Sequence, residues 1–269
     1  MSRPALAANK LKGMPDIVNP LRLFATALTF LSRMPVVARW SYADPEHLAR
    51  SARYFPLVGV FAGAVGAAVY SAASLILPAQ LAATLGVLVI IAFTGAFHED
   101  GLADTMDGFG GAFEVQRKLE IMKDSRIGSY GATALVLALL LKVGALASLS
   151  PAQALPALLA AHALSRWSCL PLTLALPYVR AGSNKPMADA LGNAELLIGS
   201  AWLLAILSLL LLLGWTAQHL VVVPLVAIFS TLVAGAYSRA QIGGITGDTL
   251  GASNQLVEIS VLLSCVALA

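Results

Sequence analysis

The sequence contains 269 residues, of which 58% are hydrophobic and 12% are charged, and its formal net charge at pH 7 is +3. The charged share is about half that of an average soluble protein, so the composition excludes a soluble globular fold. Basic residues are spread among the loops and form no stripe with interleaved aromatic residues. Nucleic acid is therefore not expected as a partner.

The N-terminal segment, up to about residue 19, has no long apolar core, so a secretory signal is not predicted. Apolar residues then recur at helical spacing between Leu21 and Leu31, flanked by Arg22 and Arg33. This stretch is too short to cross a membrane and predicts an interfacial or half-inserted helix.

Six apolar runs of spanning or near-spanning length follow. They cover about 56–78, 80–97, 130–149, 152–177, 196–215 and 218–238, and the residues from Gln255 onward form a shorter seventh run. Small residues at Gly59, Gly63 and Gly66 predict close helix packing. No internal repeat or interdomain linker is visible. We predict an all-α, polytopic integral membrane protein with six to seven transmembrane helices and an N-terminal interfacial helix, forming a single domain over residues 1–269.

The connections between these runs alternate in charge. Those near 77–80, 149–152 and 213–218 carry no charged residue, whereas the N-terminal segment and 98–129, 178–195 and 239–254 hold nearly every charge. With seven spans, all charged segments lie on one side of the membrane, which the positive-inside rule makes cytoplasmic. We therefore expect a multi-pass membrane protein with its chemistry on the cytoplasmic face.

An acidic stretch over residues 98–108 holds four of the 14 acidic residues. On a helix Asp100, Asp104 and Asp107 fall within about 60° of one another, and such closely spaced carboxylates repel. Hard oxygen ligands in this number suit Mg²⁺ or Ca²⁺, and Mg²⁺ typically takes one or two carboxylates together with substrate phosphates. Gly101 and Gly108 interrupt an otherwise good helix, as close backbone approach requires. We predict a magnesium site at these aspartates; the alternative is a solvated acidic helix end.

A basic and acidic run follows over residues 117–126. By i, i+4 spacing Glu120 and Asp124 are predicted to share a helical face, where Glu120 is a candidate metal ligand and Asp124 a further ligand or a base. Arg126 is a candidate clamp for phosphate oxygens. The alternative is an amphipathic surface helix with internal ion pairs.

Two further connections carry polar candidates. Arg180, Asn184 and Lys185 lie in a short loop of the kind that cradles an anion, although ordinary juxtamembrane loops also favour Arg and Lys. Asp248 is the single carboxylate among the four glycines of residues 243–251. A mobile linker is the alternative interpretation of that glycine-rich stretch.

Several polar residues fall within or beside the apolar runs. Arg166 lies mid-span, where pairing with a carboxylate or a substrate phosphate is plausible and a structural interhelix pair is nearly as well supported. Lys142 is expected to snorkel towards the membrane surface. His98 is expected to be an interfacial residue, and nothing in the sequence near His162 indicates a chemical role.

Carboxylates beside basic loops on one membrane face indicate metal-assisted phosphoryl or nucleotidyl chemistry. In such chemistry a carboxylate takes the proton of an attacking hydroxyl, and cations balance the leaving phosphate. The membrane location suggests an amphiphilic substrate. A cation transporter is the rival class, but transporter sites lie at the bilayer midplane within repeats, whereas these acids lie at the end of a span.

The motifs resemble the cobalamin synthase family (adenosylcobinamide-GDP ribazoletransferase). The family pattern H-x-D-G-L-A-D-T-x-D-G stands at His98–Gly108, L-E-I-M-[KR]-D-S-R-x-G at Leu119–Gly128, and G-G-x-T-G-D-x-L-G-A at Gly243–Ala252. The segments Phe30–Pro35 and Phe55–Gly59 also resemble the family, so the likeness covers nearly the whole chain. Glu99 stands at a position that the family pattern does not fix, and it ranks below the aspartates.

The resemblance implies a late step of cobalamin synthesis. A hydroxyl of α-ribazole, or of its 5′-phosphate, attacks the corrinoid-side phosphate of adenosylcobinamide-GDP; GMP leaves, and adenosylcobalamin or its 5′-phosphate forms. Mg²⁺ is the implied cofactor. Expected partners are these small molecules and membrane lipid, with a homo-oligomer left open.

The candidate residues are grouped by expected role. Catalytic candidates are Asp100, Asp104, Asp107, Asp124 and Arg126; substrate-binding candidates are Arg180, Asn184, Lys185, Asp248 and Arg166; metal-ligand candidates are Asp100, Asp104, Asp107 and Glu120.

A partial resemblance links residues 104–108 to the membrane CDP-alcohol phosphotransferases, whose pattern is D-x-x-D-G-x-x-A-R. Here Gly111 and Ala112 stand where Ala and Arg are required. This departure argues against a CDP-lipid substrate and leaves shared metal chemistry plausible.

Overall fold

A computed structural model of the chain describes residues 19–34, 40–179 and 191–269. Eleven α-helices lie in these ranges: α1 (Pro20–Leu31), α2 (Pro45–Ser51), α3 (Phe55–Ala73), α4 (Ala79–Thr94), α5 (Phe97–Gly111), α6 (Val115–Ile121), α7 (Ser129–Ala147), α8 (Pro151–Ala175), α9 (Asn193–Leu210), α10 (Ala217–Ile242) and α11 (Gly247–Ala267). Short 3₁₀ turns follow α2 and α9. Extended pairing in the described ranges is limited to one isolated bridge between Tyr178 and Ile245. The all-α prediction is confirmed.

Five helices of the described chain are long and apolar enough to cross a membrane, and a sixth candidate arises if α4 and α5 form one bent span. The five are the continuous helix Pro45–Ala73, α7, α9 with its 3₁₀ extension, α10 and α11. A polytopic membrane protein is therefore confirmed, with five or six apolar candidates where six to seven were predicted. The difference lies at α8, which has 25 residues but is not among these candidates.

Helix α8 occupies the interior of the bundle. Its buried residues include His162, Ser165 and Arg166, so it has less apolar character than a lipid-facing span. Helix α3 approaches it closely through glycines. A Cβ atom at Gly59 would lie 2.1 Å from the carbonyl oxygen of His162, and one at Gly63 would lie 2.5 Å from that of Leu158. The predicted packing face of small residues is confirmed.

Helix α11 is longer than the sequence suggested. The predicted short run from Gln255 onward is part of a 21-residue helix that begins at Gly247. The apolar run began late because residues 247–254 are largely polar or small, although Asn254 at the end of that stretch is buried in the bundle, as are Gln255 and Glu258. Polar residues that face other helices hide a span from a count of apolar residues.

A sharp kink separates α4 from α5, whose axes differ by 89°. It is formed by Gly95 with φ 69° and Ala96 with φ 58°, both in the left-handed region. Glycine adopts this conformation freely, whereas alanine does so at a cost. The predicted run 80–97 is therefore interrupted after Thr94, and the acidic stretch forms a separate helix that turns away from α4.

Candidate active site

The first and third sequence motifs meet where α5 crosses α11. A Cβ atom at Gly101 would lie 2.8 Å from the carbonyl oxygen of Asp248 and 3.2 Å from the Cα atom of Gly251. Gly251 in turn faces Gly101 and the backbone of His98. Only glycine permits this approach. The contact brings the backbone of Asp248 next to the turn of α5 that carries Asp100.

The second motif meets α5 at its C-terminal half. A Cβ atom at Gly108 would lie 2.4 Å from Cγ of Met122, which is buried. Asp107 accepts hydrogen bonds from the backbone N–H groups of Gly128 at 2.7 Å and Gly131 at 2.8 Å, one to each carboxylate oxygen. These donors belong to the N-terminus of α7, whose partial positive charge favours an anion. Asp107 therefore anchors α7 to α5.

The three aspartates lie on one unbroken helix, as their spacing predicted. They differ in burial: Asp100 is exposed, Asp104 is partly buried and Asp107 is buried. The expectation that Gly101 and Gly108 interrupt the helix is wrong, because α5 is continuous from Phe97 to Gly111. The glycines instead allow its neighbours to approach.

No three His, Cys, Asp or Glu side chains within the described parts of the chain are grouped so that they could hold a metal ion. The pocket of ligands predicted at Asp100, Asp104, Asp107 and Glu120 therefore does not exist as a ready-made cage of protein side chains. Mg²⁺ commonly uses one or two carboxylates together with waters and substrate phosphates. The arrangement suits that mode of binding.

The predicted common helical face of Glu120 and Asp124 is wrong. Helix α6 ends at Ile121, and Asp124 lies in the loop that follows. Glu120 forms an exposed ion pair with Arg117 at 2.9 Å. Met122, the residue that follows the last residue of α6, packs against Gly108.

Asp124 and Arg126 form a local pair. Nε of Arg126 lies 3.0 and 3.1 Å from the two carboxylate oxygens, and Nη2 lies 2.5 Å from Oδ2. The side-chain hydrogen bonds from Arg126, followed by its backbone N–H, lower the pKa of Asp124 to about 2. A carboxylate with so low a pKa is a weak base near neutral pH. The hydrogen bonds of Asp124 instead suit a role in orienting the guanidinium group of Arg126.

The glycine-rich segment before Asp248 is fixed and is not a mobile linker. Val179 donates a backbone hydrogen bond to Ile245 at 2.9 Å, and Ile245 donates one to Pro177 at 2.9 Å. Thr246 caps α11 by accepting from the N–H of Thr249. Asp248 thus lies in the first turn of α11, at the positive end of the helix dipole. Residues up to 179 are held against this turn; Arg180, Asn184 and Lys185 lie outside the described residues.

A cluster of charged side chains is buried between α5, α7, α8 and α11. Lys142 pairs with Glu99 at 3.1 Å and with Glu258 at 3.0 Å, and Glu258 also pairs with His162 at 3.1 Å. Nη1 of Arg166 lies 3.1 Å from Nδ1 of His162 and donates to the backbone carbonyl of His162 at 3.2 Å. The two cations and two carboxylates balance, as buried charges must.

Several expectations change at this cluster. Lys142 does not snorkel, because it is buried between two carboxylates. His98 is buried and is not interfacial. The interior position expected for Arg166 is observed, and it contacts His162 rather than a surface loop. Sequence reasoning missed Glu258; an acidic residue inside the last apolar run was the signal.

Taken together, these features define a helical membrane protein with an acidic site at one end of its bundle, where the three sequence motifs meet. The family model described as cobalamin-5-phosphate synthase matches residues 23–266. The chain therefore belongs to the cobalamin synthase family, and the resemblance seen in its motifs is confirmed.

Curated relatives named adenosylcobinamide-GDP ribazoletransferase are similar to nearly the whole chain. The relative from Shewanella amazonensis is 43% identical over 256 residues, covering 93% of this chain and 96% of its own length. The one from Shewanella frigidimarina is 43% identical over 255 residues, covering 92% and 95%. The one from Leptothrix cholodnii is 41% identical over 260 residues, covering 94% and 98%. No solved structure matches the chain.

Proposed function

We propose that this protein joins α-ribazole, or its 5′-phosphate, to adenosylcobinamide-GDP and releases GMP. A ribazole hydroxyl oxygen forms a bond to the corrinoid-side phosphorus, and the bond from that phosphorus to the GMP oxygen breaks. The products are adenosylcobalamin, or its 5′-phosphate, and GMP. The names of the relatives support the overall reaction.

The observation that carries this proposal is the convergence of the three family motifs on α5. Gly101 contacts Asp248, Gly108 contacts Met122, and Asp107 binds the backbone of Gly128. The backbone of α11 at Asp248 thereby lies against the turn of α5 that carries Asp100, and the loop that carries Arg126 joins α5 through Gly128 and Asp107. A diphosphate substrate needs this combination of oxygen ligands and cations.

The donor chemistry fits Mg²⁺ bound partly by substrate. We propose that Asp100 and Asp104, one turn apart on α5, would hold the ion together with substrate phosphates and water. When bound, Mg²⁺ would neutralise the diphosphate oxygens and make the phosphorus more electrophilic. Asp107 is a weaker candidate ligand, because backbone N–H groups already bind both of its oxygens.

The chain's own side chains have separable roles in this scheme. One of the accessible carboxylates, Asp100 or Asp104, accepts the proton of the attacking hydroxyl. Arg126, held by Asp124, meets the negative charge that develops as GMP departs. Its guanidinium group is mostly exposed, at 86% of the side chain, so a substrate can reach it.

We further propose that this site faces the cytoplasm of a bacterial inner membrane. The uncharged connections of the sequence lie at one end of the helices, and the charged ones lie at the end that carries the site. The positive-inside rule assigns the charged end to the cytoplasm.

The decisive experiment incubates the purified protein with adenosylcobinamide-GDP, α-ribazole or its 5′-phosphate, and Mg²⁺. The expected result is GMP release in a 1:1 ratio with a product whose mass is that of the joined corrinoid. Asp100→Asn is the matched inactive control, because it keeps side-chain volume and removes charge. Absence of GMP from the wild-type protein with both acceptors would reject the proposed reaction.

A further inference from the structure

A cavity of about 430 Å³ lies between α1, the residues preceding α2 and the start of α5. Its walls include Thr26, Thr29, Phe30, Arg33, Tyr42 and Phe97. The volume lies within the usual range for small-molecule sites. The cavity opens beside the first turn of the helix that carries the acidic stretch.

Phe97 of the cavity wall lies on the same face of α5 as the candidate catalytic carboxylates. Phe97, Asp100 and Asp104 are spaced i, i+3 and i+7 on α5, so they fall within about 60° of one another around its axis. Asp100 lies about one helical turn from Phe97. A molecule that packs on Phe97 therefore extends along this face of α5 to the carboxylates.

The lining contains a cation that is built into the kink before α5. The backbone N–H of Arg33 donates to the carbonyl of Phe93 at 2.8 Å. A Cβ atom at Gly95 would lie 2.2 Å from Nε of Arg33, so the left-handed glycine makes room for the guanidinium group. Within the described ranges, no carboxylate forms an ion pair with Arg33. Its charge suits a phosphate.

The cavity also contains a buried hydroxyl that lacks a hydrogen-bond partner. Oγ1 of Thr29 is unpaired. The neighbouring hydroxyls are engaged: Thr26 donates to the carbonyl of Arg22 at 2.8 Å, and Ser32 donates to that of Leu28 at 2.6 Å. A buried polar atom without a partner calls for a ligand or water. Thr29 is therefore available to a polar group of a molecule in the cavity.

Aromatic rings supply the apolar part of the lining. Phe30 and Phe97 lie edge to face, with ring centroids 5.5 Å apart, and are 37% and 43% exposed. On the other side, Tyr42 is held by stacking on His47 at 3.9 Å and by Arg22 over its ring at 4.2 Å. Partly exposed, fixed rings form platforms on which an aromatic base stacks.

From these observations we infer that the cavity binds the acceptor substrate as an aromatic ribonucleoside 5′-phosphate. The base packs on Phe30 and Phe97, a ribose hydroxyl reaches Thr29, and the phosphate binds Arg33. The reacting hydroxyl then faces Asp100. This assignment of the binding site rests on the proposed function. The guanosine end of adenosylcobinamide-GDP has the same chemistry, and the KM of that substrate in the test below distinguishes the two ligands.

The test compares Arg33→Gln with Arg50→Gln, a matched control. Arg50 is on α2, pairs with Glu46 at 2.7 Å and does not line the cavity. Binding of α-ribazole 5′-phosphate and of α-ribazole to the purified protein is measured by calorimetry, and KM values are measured for each acceptor and for adenosylcobinamide-GDP. Loss of a charge-assisted contact should weaken binding of the phosphorylated acceptor by about 10- to 100-fold in Arg33→Gln. The unphosphorylated acceptor and the corrinoid should change less than about threefold, and Arg50→Gln should match the wild type.

A second variant tests the ribose contact. Thr29→Val keeps side-chain shape and should raise KM for both acceptors about two- to tenfold, without changing KM for the corrinoid. Thr84→Val is its control, because Thr84 does not line the cavity and lies towards the other end of α4 from Thr94, which does. Three results for Arg33→Gln would overturn the assignment. They are equal effects on the two acceptors, unchanged binding of both acceptors, and a raised KM for adenosylcobinamide-GDP alone. Failure of the proposed function gives a different result: no GMP from the wild type with either acceptor. Calorimetry decides the binding assignment in that case too.

Discussion

Gly101 and Asp248 are in backbone contact across the α5–α11 crossing, although they are separated by most of the chain. A Cβ atom at Gly101 would lie 2.8 Å from the carbonyl oxygen of Asp248. This contact sets the separation of the two helix backbones at the turns that carry Asp100 and Asp248. The geometry of the site therefore depends on a residue that carries no side chain.

Gly101→Ala should reduce GMP release by at least tenfold, because the added methyl group pushes α11 away from α5. Overpacking of this kind costs roughly 1–3 kcal/mol of stability. Activity and thermal unfolding in detergent would be measured together. Gly144→Ala is the control: a Cβ atom there meets no atom within 4 Å, and alanine favours the helix. Wild-type activity in Gly101→Ala would show that the contact does not set the site.

Asp107→Asn should differ from Asp100→Asn and Asp104→Asn in its effect on stability. Asn keeps one acceptor oxygen but loses the charge, and its NH₂ group then faces a backbone N–H of Gly128 or Gly131. The expected cost is about 1.5–3 kcal/mol. Thermal unfolding of the three variants checks this. All three should also lose turnover, but only Asp107→Asn should melt early. Equal melting temperatures would contradict the anchoring role of Asp107.

The ion pair between Asp124 and Arg126, in the loop after α6, can be tested by titration. Arg126→Ala should raise the pKa of Asp124 from about 2 towards its ordinary value, 3.8, because the hydrogen bonds that favour the carboxylate are lost. Since the folded-state pKa is lowered, the contribution of Asp124 to stability is present above the unfolded pKa and disappears as pH falls through about 2. Carbon-13 NMR of labelled aspartates would follow the carboxyl signal. In the same variant we expect kcat to fall about ten- to a hundredfold, with KM little changed.

The membrane orientation is open to a direct test. Reporter domains fused near Ser148 and Gly214 should read as periplasmic, and those near Gly111 and Gly247 as cytoplasmic. The first two positions follow α7 and α9, and the last two adjoin α5 and α11. If the reporters near Gly111 and Gly247 lay on opposite sides of the membrane, Asp107 and Asp248 would be separated by the bilayer. The contact between α5 and α11 does not allow this, so that result would contradict the proposed site.

The sequence predicted the helices well where a lipid-facing run is apolar throughout. It predicted α7 over 130–149, and the helix covers Ser129–Ala147. It was less successful where polar residues face other helices, as on α11, because a hydropathy count cannot distinguish buried polar groups from surface ones. The kink at Ala96 was also missed, since alanine usually continues a helix.

For the site, the spacing of residues along the chain predicted which side chains share a helix, but it could not predict which partners those side chains contact. The positions of Asp100, Asp104 and Asp107 on one helix followed from their intervals. The backbone hydrogen bonds that occupy Asp107 come from residues more than twenty positions away, and no local pattern indicates them. The partners of Lys142 are likewise on different helices, so its position within an apolar run was mistaken for that of a snorkelling residue.

The buried charges provide a final prediction. Lys142 lies between Glu99 and Glu258, and its side chain is only 3% exposed. Lys142→Met should therefore leave two buried carboxylates without their shared cation. Loss of one partner from a buried ion pair costs about 3–5 kcal/mol. The variant should melt early or fail to accumulate in the membrane, whereas Lys123→Met, at an exposed position, should behave as the wild type.

A compensating substitution distinguishes charge balance from simple packing. Lys142→Met combined with Glu99→Gln removes one charge of each sign, and it leaves Glu258 with His162 at 3.1 Å. If unpaired charge causes the defect, the double variant should regain most of the lost melting temperature, because isosteric neutral replacements of buried ion pairs are well tolerated. If the lysine side chain matters only by its volume, the double variant should be no more stable than Lys142→Met. Thermal unfolding of the single and double variants in the same detergent separates the two outcomes.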